Sequence, residues 1–406
     1  NLSFANEAIS RQYGFSRADI GAIITTALLA YACGQVVNGF LTDRIGGKRV
    51  MLIAAFGTVT MNLLFGAASF FGLLWLFVTI RGIDGYMQSF GAPGMVKINT
   101  AWFNHRERGR FAGIFGFMIN LGRFGISKLG PSLLAGFTLL GLIRIPPLHW
   151  RWLFWIPAII CALVAVGMAL TVKHTPEEAG FHNVIVDETH YAQLEAHPKF
   201  SFVLRTILTN RAVWLVASAY ACTGAVRQAV DQWFPRYMQD VFKMDMTSAS
   251  FQWLAFLIPV VASVGSLTSG YISDTFCKGR RAPVAAVLYL LETCIILLAA
   301  QFHTAVAAIV FFLLISFTAN STHSILGTAA VMDIGGRKLA GGAFGIIDAC
   351  QYFGGSLAGY FLGLLLDKSY GYYFYFMAPF GLIGGALMIY ARGKITSGPA
   401  PAKAKA

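Results

Sequence analysis

The chemistry-bearing residues of this chain are charged side chains set inside otherwise apolar stretches. Arg227 stands near the middle of the stretch 212–236, eight residues before Pro235, with Asp231 one helical turn further on. A guanidinium in hydrocarbon is costly, so it must face a cleft, a ligand or a counter-ion. Asp231 could itself be that counter-ion, since residues four apart share a helix face. Arg123 and Lys128 lie in a second apolar stretch beside Gly122, Gly125 and Ser127, small residues that suit a cleft wall, and Lys97 lies near the end of a third. Guanidinium forks match phosphate and carboxylate in charge and shape. The chemistry expected is therefore anion binding. Bond breaking is not expected, because no nucleophile, base and orienting group cluster at an interpretable spacing. Arg81 and Asp84, three residues apart, read as an internal salt bridge or a proton-coupling pair. Glu7 is the first candidate for proton coupling, and Asp231, Glu292 and Asp348 are further carboxylates that would titrate if buried.

These residues need elements that a bilayer can hold. The chain has 406 residues, 56% hydrophobic and only 12% charged, with a positive mean hydropathy; ordinary soluble domains carry about twice that charged share. Runs of about 20 apolar residues, enough for a spanning helix, fall at 20–41, 50–69, 72–99, 110–139, 152–172, 212–236, 248–273, 282–301, 304–328, 340–366 and 371–391. One phrase occurs twice, Gly39-Phe-Leu-Thr-Asp43-Arg44-Ile-Gly46-Gly-Lys48-Arg49 and Gly270-Tyr-Ile-Ser-Asp274-Thr-Phe-Cys-Lys278-Gly279-Arg280-Arg281, each copy between two apolar runs. Two related halves are expected. Positive-inside topology explains the basic residues but not Asp43 and Asp274 at matched positions, so Asp43, Arg44, Asp274 and Arg280 are gating candidates.

Basic residues collect in alternate loops, at 44–49, 106–110, 173–211, 278–281 and 337–338, which places those loops and the C-terminus in the cytoplasm. On that topology residues 1–9 read as the end of a first helix whose beginning precedes Asn1. The domain reading is an N-terminal bundle 1–172, a linker 173–211, a C-terminal bundle 212–393 and a tail 394–406. Six scattered cysteines read as small buried hydrophobes, so no metal or cofactor is expected. The net charge of +13 lies in loops between spans, which fits anionic lipid headgroups and not nucleic acid. Trp150, Trp152 and Trp155 and the 370–376 run are expected in an interfacial belt.

The doubled phrase resembles the loop signature of the major facilitator superfamily. That resemblance implies an all-α membrane fold of two pseudo-symmetric six-helix bundles rocking about a central site. Asp84-Gly-Tyr-Met-Gln88-Ser-Phe-Gly91-Ala-Pro93, Lys97 with Ala101-Trp102-Phe103, Arg227 followed by Trp233-Phe-Pro235-x-Tyr237, and Asp348-x-x-Gln351-Tyr352-x-Gly354 are similar to the organophosphate:phosphate antiporter family. Some of these patterns are shared with anion:cation symporters. The antiporter resemblance implies a phosphate site made by one arginine from the first helix and one from the seventh. The second falls on Arg227; the first would lie just before Asn1. A lysine of the glycerol-phosphate carriers falls at Gln35 and a histidine at Ile119, and Arg123 with Lys128 could replace those basic groups. Gln351 and Tyr352 are expected to line the site. Trp233 is expected either to pack under the substrate or to fill a helix contact.

The function implied is exchange of an organophosphate for inorganic phosphate by a monomeric carrier of a bacterial inner membrane. The alternatives are a proton-coupled symporter of organic acids and a sugar-phosphate sensor. Two arginines facing an empty cavity would repel each other, which would oppose crossing without cargo.

Overall fold

The computed structural model describes residues 1–102, 108–139, 143–173, 176–181, 209–277, 280–330 and 345–392. The side chains of Asp43, Ile119 and Asp274 lie outside that description, as do residues 106–107, 278, 337–338 and the tail 394–406.

Local chemistry sets the helix ends. α1 (Leu2–Tyr13) stops at Gly14, whose φ of 69° suits glycine. α2 (Arg17–Ile45) begins on Ser16, whose hydroxyl accepts from Asp19 N–H at 3.1 Å while the Asp19 carboxylate accepts from Ser16 N–H at 2.9 Å. α3 (Gly47–Ala67), α4 (Leu74–Gln88), α5 (Gly91–Trp102) and α6 (Arg108–Ala135) follow. A short antiparallel hairpin pairs β1 (Phe137–Leu139) with β2 (Ile143–Ile145), and α7 (Trp152–Thr171) completes this half of the chain. α8 (Arg211–Phe242) starts on Asn210, whose side chain accepts from Ala212 N–H at 2.9 Å. α9 (Ala249–Thr275) and α11 (Ala305–Ser324) start on Ser248 and Thr304 in the same manner, with α10 (Arg281–Ala299) between them. α11 runs into a π-helical turn, Ile325–Ala330. α12 (345–356), α13 (Tyr360–Lys368) and α14 (Tyr372–Ala391) close the order.

α2 packs on α4, and α3 on α4, α5 and α7. α8 packs on α11 and α14, α9 on α11, and α10 on α11 and α14. Contacts between these groups include α1 with α8, α2 with α13, and α6 with α9. Among the described residues, eight helices are long and apolar enough to cross a membrane. Eleven runs were expected. The three missing from the eight are α4 with α5, α6 and α8, the helices that carry Arg81, Asp84, Lys97, Arg123, Lys128, Arg227 and Asp231. The run 72–99 also divides at Ser89–Phe90 into α4 and α5. Asp84 on α4 and Arg227 on α8 are buried, turned from lipid.

Two expectations are corrected here. Cys33 and Cys294 are exposed, unlike the buried Cys222. Trp150 is not belt-like: it is buried in an aromatic cluster with Phe65, Phe77 and Phe154, and its indole donates to Gln12 at 2.7 Å.

Candidate functional site

α6 and α8 bring two arginines to one carboxylate. Arg123 Nη2 on α6 donates to Asp231 Oδ2 on α8 at 2.7 Å, and Arg227 Nε lies 3.7 Å from the same oxygen. The expected Arg227–Asp231 pair is present, but Asp231 is shared across the two helix groups. Arg227 is largely buried, and its Nη1 lies 3.3 Å from His323 Nδ1 on α11. The Tyr220 hydroxyl is 2.7 Å from the same nitrogen, with the two rings stacked at 5.3 Å.

α2 and α12 supply a second polar set beside this one. Gln35 Nε2 donates to Asp348 Oδ2 at 2.9 Å and to Tyr31 Oη at 3.0 Å, and the Tyr31 and Tyr352 rings lie 4.3 Å apart. Tyr352 and Asp348 are within electrostatic reach of Arg227. What sets this spacing is backbone contact between α8 and α12: a Cβ on Gly224 would meet Gln351 O at 1.9 Å, and one on Gly354 would meet Ala221 O at 2.0 Å. Gln351 is fully buried, and neither of its amide atoms has a hydrogen-bond partner among the described residues.

A cavity of about 190 Å³ adjoins the cluster, with Tyr31, Tyr352, Gln228, Gln232, Arg81 and Gln88 in its wall. Tyr352 lines this cavity and is within electrostatic reach of Arg123 and Arg227, which are not among its wall residues. Arg81 pairs tightly with buried Asp84, which also accepts from Gln88 at 2.9 Å and Asn62 at 3.4 Å. The salt-bridge reading of Arg81–Asp84 fits this geometry.

Several candidates do not reach the cluster. Lys128 is exposed and donates to Gln252 of α9 at 3.1 Å, so it ties α6 to α9 instead of forming a cleft wall. Trp233 is fully buried in the core and donates to Ala358 O at 2.7 Å; of the two expectations, the helix contact is the one realised. Glu7 is engaged by exposed Arg11 at 2.7 Å. Lys97 is half-buried on α5 and absent from the cavity wall. Arg44 and Arg280 are exposed at one end of the bundle. There Lys48 Nζ donates at 2.8 Å to Ala169 O, near the C-terminus of α7, where a cation is favoured.

The opposite end is sealed between the helix groups. Asp367, at the end of α13, accepts from the Arg17 and Ala18 amides at 2.9 Å each, so a carboxylate of one group caps the first turn of α2 in the other. Arg17 also donates to Asp240 at 3.1 Å, Tyr370 donates to Asp240, and Arg236 donates to Asn6 Oδ1 at 2.7 Å. Below this layer Thr25 donates to Ser356 O at 2.7 Å and accepts from Tyr360 N–H at 2.8 Å. Asp367→Asn is expected to weaken the cap by about 1–2 kcal/mol, which is about tenfold in the open-to-closed ratio at this end. Spin-label distances across it should lengthen and broaden; an unchanged distribution would count against Asp367 as a latch.

The profile of the Major Facilitator Superfamily matches residues 1–359. The chain belongs to that superfamily. This facilitator is a multi-pass membrane transporter and not an enzyme. It is 26% identical over 399 residues to the probable hexose phosphate transport protein of Chlamydia trachomatis, covering 93% of this chain and 83% of the relative. It is 26% identical over 388 residues to the glycerol-3-phosphate transporter of Bacillus subtilis, covering 91% and 82%. The expected likeness to phosphate-ester carriers is thus present. The fold is similar to that of a bacterial homologue of the human lysosomal transporter Spinster, with a TM-score of 0.78, 15% identity and coverage of 99% of this chain and 95% of that one.

Three cluster residues of this facilitator were passed over in the sequence reading: His323, Tyr31 and Tyr220. A signal existed for the first. Asn320-Ser-Thr-His323-Ser324 is a polar run inside an apolar span, and a titratable side chain at such depth is a functional candidate in its own right. Tyr31 and Tyr220 carry no comparable signal, since most aromatics in spans face lipid or other helices.

Proposed function

We propose that this transporter exchanges a phosphorylated small metabolite for inorganic phosphate by alternating access, with Arg227 and Arg123 as its anion ligands. The observation that carries this reading is the Asp231 carboxylate, which sits between two guanidiniums contributed by different helix groups. It occupies the position a free oxyanion would take, and a phosphate monoester with up to two negative charges competes better for two arginine forks than one carboxylate does. Engagement of both arginines by one anion would draw the groups together. The names of the two relatives support the phosphate ester as cargo.

With the basic ends at Arg44 and Arg280 in the cytoplasm, the Arg17–Asp367 end faces outward and the carrier is closed to that side. A bacterial inner membrane suits this topology. Asp43 and Asp274 with their neighbouring arginines would hold the cytoplasmic end when it closes.

The test is counterflow in proteoliposomes loaded with phosphate. Uptake of a labelled hexose phosphate or glycerol phosphate should require internal phosphate, and an imposed proton gradient should not replace it. Carboxylate uptake driven by that gradient without internal phosphate would instead establish an organic-acid symporter.

A further inference from the structure

His323 stands at the end of α11, just before the π-helical turn Ile325–Ala330, an irregularity that recurs at functional sites. Its Nδ1 has two neighbours, Tyr220 Oη at 2.7 Å and Arg227 Nη1 at 3.3 Å. A guanidinium has donors only. As a hydrogen bond, the contact to Arg227 requires a lone pair on Nδ1, that is, a neutral ring with its hydrogen on Nε2. A proton on Nδ1 would set one N–H against another, so protonation of His323 and donation by Arg227 to it exclude each other.

The charged groups that act on this ring or on its neighbours come from three helices. Arg227 and Asp231 lie on α8 with Tyr220, Arg123 reaches in from α6, and Asp348 stands on α12 within reach of Tyr220. Two cations therefore face His323 from α8 and α6. A third positive charge among them becomes favourable when an anion lies between them.

We propose that His323 takes up a proton when an anion engages Arg227, so that this carrier binds its anion and a proton together. When Arg227 turns its donors to the anion, Nδ1 is released. The proton that then binds there comes from solvent, no covalent bond to the anion forms, and the resulting imidazolium is a further charge-assisted donor. Tyr220, still stacked on the ring, keeps Nδ1 directed at the site. The proposal rests on the anion site assigned above to Arg227.

The experiment is calorimetric titration of the purified full chain with inorganic phosphate at a pH where the dianion already predominates, in two buffers of different ionisation enthalpy. The difference in heat counts protons taken up by the protein. The unaltered chain should take up about one proton per phosphate bound. His323→Asn places an amide oxygen where Nδ1 now accepts, so it keeps the acceptor for Arg227 and Tyr220 but cannot be protonated; it should bind phosphate with no proton uptake. Binding by the unaltered chain without uptake, or the same uptake in His323→Asn, would overturn the coupling and leave the anion site standing. Failure of phosphate, glycerol phosphate and hexose phosphate alike to bind would overturn the anion site itself, and the coupling with it. Should His323→Asn not fold, the proton count of the unaltered chain decides alone.

Discussion

Arg227→Ala is expected to lower the proposed phosphate exchange by about two to three orders of magnitude. Truncating one partner of a buried, hydrogen-bonded charge pair costs about 2–5 kcal/mol, and each 1.4 kcal/mol is about tenfold. The upper part of that range applies because Arg227 is more buried than Arg123, with side-chain exposures of 10% and 29%. It also contacts Asp231 and His323 together. Arg227→Lys keeps the charge but loses the planar fork, and about a tenth of the exchange rate should survive. Arg123→Ala should be milder than Arg227→Ala, because Asp231 then turns wholly to Arg227. Counterflow rates at matched protein insertion read all three. Exchange undiminished in Arg227→Ala would remove the arginine pair from the anion site.

Gly21→Val is expected to abolish exchange while leaving the anion site able to bind. A Cβ at Gly21 would lie 2.4 Å from Gly359 O and 2.9 Å from Tyr360 Cα, both backbone atoms of the facing helix group. Neither can move aside as a side-chain tip could. The sealed end would then be wedged open, with the Thr25 and Asp367 contacts broken on the same helix. Two readouts separate this from misfolding: a cysteine placed at the Arg17 end should label faster, and phosphate should still bind by calorimetry. Gly39→Val is the control on the same helix, since nothing lies within 4 Å of a Cβ there. A Gly21→Val carrier that exchanges at the native rate would show that this end need not close as seen.

Charge at depth made Arg227, Asp231 and Arg123 legible in the sequence, because a bilayer forbids such groups without a reason. The same rule overreached at Lys128, whose flexible side chain finds Gln252 at the α6–α9 contact. Hydropathy in turn gave eleven apolar runs where eight described helices are long and apolar enough to span, and the site-bearing α6 and α8 are not among the eight. Trp233 and Trp150 illustrate another limit. Both bury their rings in the bundle and satisfy the indole with an internal acceptor, and sequence alone does not distinguish that from a belt or a binding wall. The tight approach at Gly21 and Gly359 was invisible because it depends on which helices face each other across the two groups. His323 was less legible because an imidazole carries no fixed charge at neutral pH, unlike the arginines and carboxylates that stand out in an apolar span.

To the expectation that two bare arginines oppose empty crossing the structure adds a carboxylate, Asp231, set against both Arg123 and Arg227. Asp231 gives the unloaded transporter a resident counter-charge, a tethered decoy that both guanidiniums can hold while the halves rock. Stoichiometric fidelity then becomes a matter of relative rates: the decoy must be a poorer hinge-pin than the true cargo, so that unladen turnover is slow but finite. If the proposed exchange holds, Asp231 would set the slippage of the machine as much as its affinity, a trickle of net flux against a background of one-for-one trade.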